Sequence, residues 1–85
     1  MLQITRPACE HLRQMLTHAP EGVAVRLYLQ YNDLAIAVDE VYDDDLSCVY
    51  EGQTVLVMDS EMSQLLSQRR LDVELTEQGP QLAVL

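Results

Sequence analysis

Apolar and polar side chains alternate with a period of two in three stretches of this chain, residues 23–31, 34–39 and 71–76. Because successive side chains of a β-strand point to opposite faces of a sheet, this alternation predicts strands that bury one face only. The turn-forming pair Asn32-Asp33 separates the first two stretches and predicts an antiparallel hairpin. A turn signal at residues 77–80 predicts a second hairpin at the end of the sequence. The pattern therefore favours a fold built mainly of strands.

Two short helices are expected beside these strands. Thr5 can cap a helix, and apolar residues recur with a 3.6-residue period over residues 7–18. Asp59 can accept a backbone N–H bond at the start of a second helix. Further short strands are predicted at residues 47–50 and 53–58. The predicted order is one helix, four strands, a second helix and two strands.

Length and charge exclude several classes of function. The 85 residues include 14 acidic and 5 basic side chains, for a formal net charge of -9. A chain of this length is expected to form one domain over residues 1–85. Nucleic-acid binding needs a Lys/Arg surface, so the acidic balance excludes nucleic acid from the expected partners. The absence of Lys also excludes Schiff-base catalysis and the lysine of a P-loop.

The cysteines and the distribution of charge indicate a cytoplasmic protein. Cys9 and Cys48 are too few for a disulfide framework and form no CxxC or CxC pair. Charged residues interrupt the beginning of the chain, and no run of about 18 apolar residues occurs. We therefore expect neither a signal peptide nor contact with a membrane.

A frame of apolar, glycine and acidic positions extends from about residue 3 to residue 85. It consists of Ile4-Thr5, Ala8, Leu12, Leu16, Gly22, Val25-Arg26-Leu27, the acidic residues 43–45, Glu51-Gly52, residues 55–58, Asp59, Leu66 and Leu71-Asp72. This frame resembles the A-type iron–sulfur carriers, the HesB/IscA-like family, although Gln68 stands where that family commonly has a glycine. The resemblance implies a mainly β (α+β) fold, with two small mixed sheets and two short helices packed outside. It also implies a role in receiving and delivering iron–sulfur clusters.

The cysteines that hold the cluster in that family have no counterparts in this chain. The family's first ligand lies in a Gly-Cys-Ser-Gly turn, where this chain has Tyr31-Asn32-Asp33-Leu34. Its other two ligands lie in a Cys-Gly-Cys tail, and none precedes Leu85 here. Iron–sulfur clusters are held by thiolates, so we expect no bound cluster and assign no cofactor, metal or catalytic residue.

The cysteines and histidines have structural interpretations that are favoured over functional ones. Cys9 has Arg13 one helical turn away, which would favour a reactive thiolate, but a small buried core residue is the favoured interpretation. Cys48 is interpreted as a packing residue of a strand. His11 and His18 are separated by about 10.5 Å of helix rise, too far to chelate one metal ion, and are interpreted as solvated.

The acidic loop and the arginine of the first long strand have structural interpretations. Asp43, Asp44 and Asp45 offer oxygen ligands for Ca²⁺ or Mg²⁺, but the loop lacks the alternation of an EF-hand and is interpreted as solvated. Arg26 is expected to meet a carboxylate on the neighbouring strand.

Three hypotheses from different classes follow. The first is a non-catalytic relative of the iron–sulfur carriers that serves as a docking or accessory module without a cluster. The second is a metal carrier with an unfamiliar site at Cys9, Cys48 or the acidic loop. The third is a small enzyme, which ranks last because no nucleophile and base occur as a pair.

The expected partners are iron–sulfur assembly or client proteins, together with a second copy of the chain. Residues 81–85 form an apolar strand without charge, and an uncovered sheet edge favours pairing. The net charge of -9 should repel identical copies at low salt and favour a partner with a basic face. We therefore predict a weak homodimer that tightens as salt rises, or a basic partner protein.

Overall fold

A computed structural model describes residues 2–85. The elements in chain order are β1 (Gln3–Ile4), α1 (Arg6–Met15), β2 (Val23–Gln30), β3 (Asp33–Glu40), β4 (Leu46–Tyr50), β5 (Gln53–Met58), α2 (Ser60–Leu65), β6 (Arg70–Thr76) and β7 (Gly79–Val84). Every predicted helix and strand is confirmed. The short strand β1 was not predicted, because two residues are too few to show a period.

The strands form two mixed sheets. In the larger sheet the strand order is β3-β2-β5-β4. Its two outer pairs are antiparallel hairpins, and its central pair, β2 and β5, is parallel. In the smaller sheet the order is β1-β6-β7, with β1 parallel and β7 antiparallel to β6. This architecture confirms the mainly β fold of two small mixed sheets and two helices.

The two hairpins of the larger sheet turn through residues with left-handed backbone. Tyr31 and Asn32 have φ angles of 52° and 66°, and the second hairpin turns at Glu51-Gly52. Consecutive positive φ angles give a two-residue turn whose twist matches that of the flanking strands. The β2–β3 turn therefore lies one residue earlier than predicted, and Asp33 already pairs with Gln30.

Both helices begin at side-chain caps. The Thr5 hydroxyl accepts the Ala8 N–H at 3.3 Å, and the Asp59 carboxylate accepts the Met62 N–H at 2.8 Å. These bonds satisfy N–H groups that have no partner within the first helical turn. Helix α1 ends at Met15 instead of continuing to residue 18, because the next N–H groups bond to carbonyls three residues back and tighten the chain into turns.

The core lies where helix α1 packs against β5 and β6, one strand from each sheet. Leu12, Leu56 and Leu71 meet there and are fully buried. Helix α2 adds Met62 and Leu66 to the same apolar cluster. Burial of this shared face holds the two sheets together, since burial of apolar surface is the main favourable term in folding. Over residues 2–85, no helix is long and apolar enough to cross a membrane.

Candidate functional site

The turn between β2 and β3 occupies the position of the first cluster ligand in the resemblance described above. Tyr31 is 92% exposed at this turn and is followed by Asn32. Neither side chain carries a thiol. Cys48 lies on β4, at the opposite edge of the sheet and three strands from β3, or about 14 Å at the usual strand spacing. A change of rotamer cannot bring that thiol to the turn.

An apolar groove opens beside this turn, between the edge strands of the two sheets. We call it the β3–β7 groove, and its volume is about 400 Å³. It is lined by Leu34, Ala35 and Ile36 of β3, Pro80, Gln81, Leu82 and Val84 of β7, His11 and Met15 of α1, Leu27 of β2 and Leu71 of β6. Both β3 and β7 end their sheets, so each presents one unpaired backbone edge.

The apolar face of the larger sheet continues past the core into this groove. Ile36 of β3 lies directly across from Leu27 of β2, so the two side chains share a face. Leu27 is buried, whereas Ile36 is 40% exposed. Leu34 and Val38 lie two residues on either side of Ile36, so their side chains share its face of the sheet, and both are exposed. This part of the sheet has the sequence pattern of a buried face but lacks a covering element within residues 2–85.

The described residues that line the groove also include no Asp, Glu or Arg. The chain has 14 acidic residues, yet none of the described residues that line the groove carries a carboxylate. Its polar side chains are His11 and Gln81. A mainly apolar channel between two open strand edges can accept an extended apolar segment, with backbone bonds for affinity and pockets for side chains.

Arg26 organises the acidic loop on the other side of the larger sheet. Its guanidinium donates to Asp39 at 2.9 Å and, through both terminal nitrogens, to Asp45 at 2.9 and 2.6 Å. It also lies 5.0 Å from the centre of the Tyr42 ring. These contacts confirm the predicted cross-strand carboxylate and add Asp45, which sequence spacing did not reveal. The bonds from Arg26 lower the pKa of Asp45 to about 2.

These bonds leave the acidic loop poorly suited to hold a cation. Both oxygens of Asp45 are engaged by Arg26, and one of them also accepts the Tyr42 N–H at 2.8 Å. Asp43 and Asp44 are exposed. Within residues 2–85, no three His, Cys, Asp or Glu side chains converge as a metal site would require. Arg26 and the Tyr42 N–H therefore hold Asp45 in place within the loop.

A second polar cluster joins α1 to β4. The Tyr50 hydroxyl donates to Glu10 at 2.7 Å, and Arg13 donates to Glu10 at 2.8 Å and to Glu51. The bond from Tyr50 lowers the pKa of Glu10, and the same bond raises the pKa of Tyr50. Arg13 is therefore paired with the carboxylates of Glu10 and Glu51.

The two cysteines lie on the two elements that this cluster joins. Cys9 is 7% exposed, which confirms the core interpretation, and Cys48 is half-buried against the core. Burial raises the pKa of Cys48, and the Cys9 thiol adds to this effect. His11 is half-buried at the groove, and His18 is exposed after α1.

Comparison with solved structures identifies the architecture. Escherichia coli SufA, involved in the biosynthesis of iron–sulfur clusters, superposes with a TM-score of 0.74 at 20% sequence identity, covering 99% of this chain and 83% of SufA. The chain has the SufA fold. IscA with a [2Fe-2S] cluster superposes with a TM-score of 0.65 at 19% identity, covering 100% of this chain and 84% of IscA. No family model and no curated protein matches the sequence.

The comparisons confirm the resemblance drawn from the sequence at the level of the fold. The apolar frame and the turns predicted the SufA and IscA architecture at an identity of 19 to 20%. This agreement is reasonable because the frame consists of buried and turn positions, which determine the packing of a small β protein.

Proposed function

We propose that this protein is a non-catalytic relative of the iron–sulfur carriers and serves cluster assembly as a docking or accessory module. In this proposal it binds no cluster at the position used by the carriers. One observation carries the proposal: the SufA fold extends over 99% of the chain, while the turn at the first ligand position contains Tyr31 and Asn32.

The chemistry of the turn supports the absence of a cluster. Iron in these clusters is bound by thiolates, which phenol and amide groups do not replace. The cysteines of the chain lie on α1 and β4, away from the β2–β3 turn. The same fold can therefore retain a surface for partners while lacking the ligand that would bind the cargo.

The β3–β7 groove is the proposed docking surface. Its occupant is an apolar extended segment of an assembly or client protein, which adds to the edge of β3 or β7. The groove carries no carboxylate, and the remaining surface has a large negative excess. A partner with basic residues around an apolar segment would fit both features, since opposite charges accelerate encounter and apolar contact stabilises the complex.

A second copy of the chain is the weaker occupant of the same groove. The open edge of β7 offers backbone pairing, but the net charge of -9 opposes self-association at low salt. We expect a weak dimer whose dissociation constant falls as salt screens that repulsion. Sedimentation over about 0.02 to 0.5 M salt measures this dependence, because the Debye length then passes through about 10 Å. A strict monomer at every salt concentration refutes the dimer.

Reconstitution with iron and sulfide tests the absence of a cluster. We expect no stable absorption band at about 400 to 420 nm, roughly where thiolate-bound clusters absorb, and no stoichiometric iron. The positive control is SufA treated in the same way. A reproducible band would overturn the proposal. If that band disappeared in a Cys9→Ser, Cys48→Ser double variant, it would favour the alternative, a metal carrier that uses a site other than the family's.

Capture of partners tests the docking surface. The protein is immobilised and exposed to purified iron–sulfur assembly proteins, and each binding constant is measured separately. Ile36→Glu places a carboxylate in the groove and should weaken binding by about tenfold or more, since burying an unpaired charge is costly. Val49→Glu is the matched control, because Val49 is an exposed residue of β4 at the far edge of the same sheet. Equal loss in both variants would place the partner elsewhere.

A further inference from the structure

The apolar face of the larger sheet extends past the β3–β7 groove toward α2. Leu34 of β3 lies directly across from Leu29 of β2. Their Cα atoms are therefore about 5 Å apart, and their side chains share the face that holds Leu27 and Ile36. Leu34 lines the β3–β7 groove, whereas Leu29 lines a second cavity beside α2. This pair makes the two cavities neighbours on one apolar face.

The second cavity, which we call the α2 cleft, has a volume of about 470 Å³. It is lined by Tyr28 and Leu29 of β2, by Asp59 before α2, and by Glu61, Met62 and Leu65 of α2. Met62 is buried, but Leu29 and Leu65 are 45% and 59% exposed. Large apolar side chains that stay exposed beside a cavity mark a surface that a partner can cover.

Two carboxylates distinguish the α2 cleft from the β3–β7 groove. Asp59 and Glu61 are exposed, and no Arg, Lys or His is among the described residues that line the cleft. One Asp59 oxygen accepts the Met62 N–H at 2.8 Å. Within residues 2–85, no hydrogen bond or ion pair engages the Glu61 carboxylate. A free carboxylate beside apolar walls favours a group that is cationic at one end and apolar along its stem.

We propose that the α2 cleft holds one arginine or lysine side chain of a partner segment whose apolar residues lie in the β3–β7 groove. This inference rests on the docking surface proposed above, and it adds the charge and the position of one anchor residue. The aliphatic stem of the basic side chain packs against Leu29 and Leu65, and its charged head pairs with Glu61. The net charge of -9 attracts the basic residue before contact forms.

The anchor residue belongs at one end of the segment. The described lining of the β3–β7 groove provides no carboxylate, so a cation placed beside Ile36 would lose hydration without gaining a partner. Glu40 lies on the same face at the far end of β3, but Arg26 already donates to its backbone carbonyl at 3.0 Å and supplies a cation there. The segment therefore combines apolar residues along the groove with one basic residue where it passes Leu34.

The test uses the full chain and synthetic peptides with blocked ends that are as long as β3, which has 8 residues. Valine and threonine alternate in these peptides, and arginine or its neutral isostere citrulline replaces one residue at a time. Fluorescence anisotropy measures each dissociation constant. We expect arginine to bind about threefold to tenfold more tightly than citrulline at one end position, and no more tightly at central positions. This preference should disappear at about 0.5 M salt, because salt screens an exposed ion pair.

Three variants assign the preference to the α2 cleft. Glu61→Gln should abolish the preference for arginine, and Leu65→Ala should weaken binding of the arginine peptide by about threefold or more, since the stem loses apolar contact. Glu40→Gln is the matched control, because it makes the same charge change at the far end of β3 and should leave the preference intact. All three residues are exposed, so none of these variants should unfold the chain.

Each other outcome overturns the anchor. If Ile36→Glu abolishes peptide binding but arginine gives no advantage at any position, the anchor is refuted while the docking groove stands. An equal advantage at every position would indicate general attraction to the negative chain, and loss of the advantage in Glu40→Gln would place the basic residue at the wrong end. If no peptide binds, both the groove and the anchor are refuted.

Discussion

Replacing Arg26 by Met is the sharpest test of how the larger sheet holds the acidic loop. The arginine makes four hydrogen bonds: to Asp39 at 2.9 Å, to Asp45 at 2.9 and 2.6 Å, and to the Glu40 carbonyl at 3.0 Å. Methionine retains an unbranched apolar stem beside Tyr42 but removes every donor. The variant therefore isolates the polar contribution of the guanidinium from the packing of its stem.

The expected cost follows from the exposure of each partner. The Arg26 side chain is 16% exposed and that of Asp45 only 4%, whereas that of Asp39 is 39% exposed and can be solvated when it loses its partner. Exposed pairs contribute about 0 to 1 kcal/mol, and hydrogen bonds to charged groups about 1.5 to 3 kcal/mol. Taking these together, we expect Arg26→Met to lower the free energy of unfolding by about 2 to 3 kcal/mol.

Urea denaturation followed by circular dichroism measures this change, with thermal unfolding as a second measurement. For a chain of this size the Tm should fall by about 10 to 20 °C. Arg69→Met is the matched control, because Arg69 is exposed and makes one side-chain bond, to the Leu85 carbonyl at 3.2 Å. That control should cost less than about 0.5 kcal/mol. The reasoning fails if the two variants lose equal stability or if Arg26→Met unfolds at the same urea concentration as the natural chain.

Three further outcomes are expected. The pKa of Asp45 is depressed from 3.8 to about 2. The stability that Asp45 contributes is therefore present above about pH 3.8 and is lost as pH falls through about 2. Between these two pH values, the Tm of the natural chain should fall more steeply than the Tm of Arg26→Met. Thr5→Ala removes the cap of α1 and should cost about 1 to 2 kcal/mol in urea denaturation, and a change below 0.3 kcal/mol would contradict the role of that cap. Leu12→Ala, at a fully buried position, should cost about 3 to 5 kcal/mol, whereas Leu75→Ala, at an exposed strand position, should leave the urea midpoint nearly unchanged.

Most of the secondary structure could be predicted because it depends on neighbouring residues. The bounds predicted for β5, residues 53–58, agree with the structure. Strand β2 ends one residue earlier than predicted, and β3 is one residue longer at each end. Strand β1 could not be predicted, since its two residues acquire a strand conformation by pairing with β6 far along the chain. The end of α1 was predicted too late because apolar spacing continues to Leu16 while the backbone has already tightened.

The candidate site was only partly accessible from the sequence. Tyr31-Asn32 stand where the family has its cysteine turn. This replacement involves consecutive residues only, so comparison with the family's sequence pattern was enough to identify it. The open face of β3 was not foreseen. Alternation predicts which side chains share a face, but it does not show whether another element covers that face.

The sequence by itself determined the acidic charge, the β2–β3 and β6–β7 hairpins and the absence of a thiol at the β2–β3 turn. These properties are either sums over the chain or consequences of side chains a few residues apart. The tertiary structure alone decided that β3 and β7 border one groove, that Asp45 joins Asp39 on Arg26, and that Tyr50 meets Glu10. Each of those meetings depends on strand order and on the placement of α1, which are determined by burial of the shared core and have no local period in the sequence.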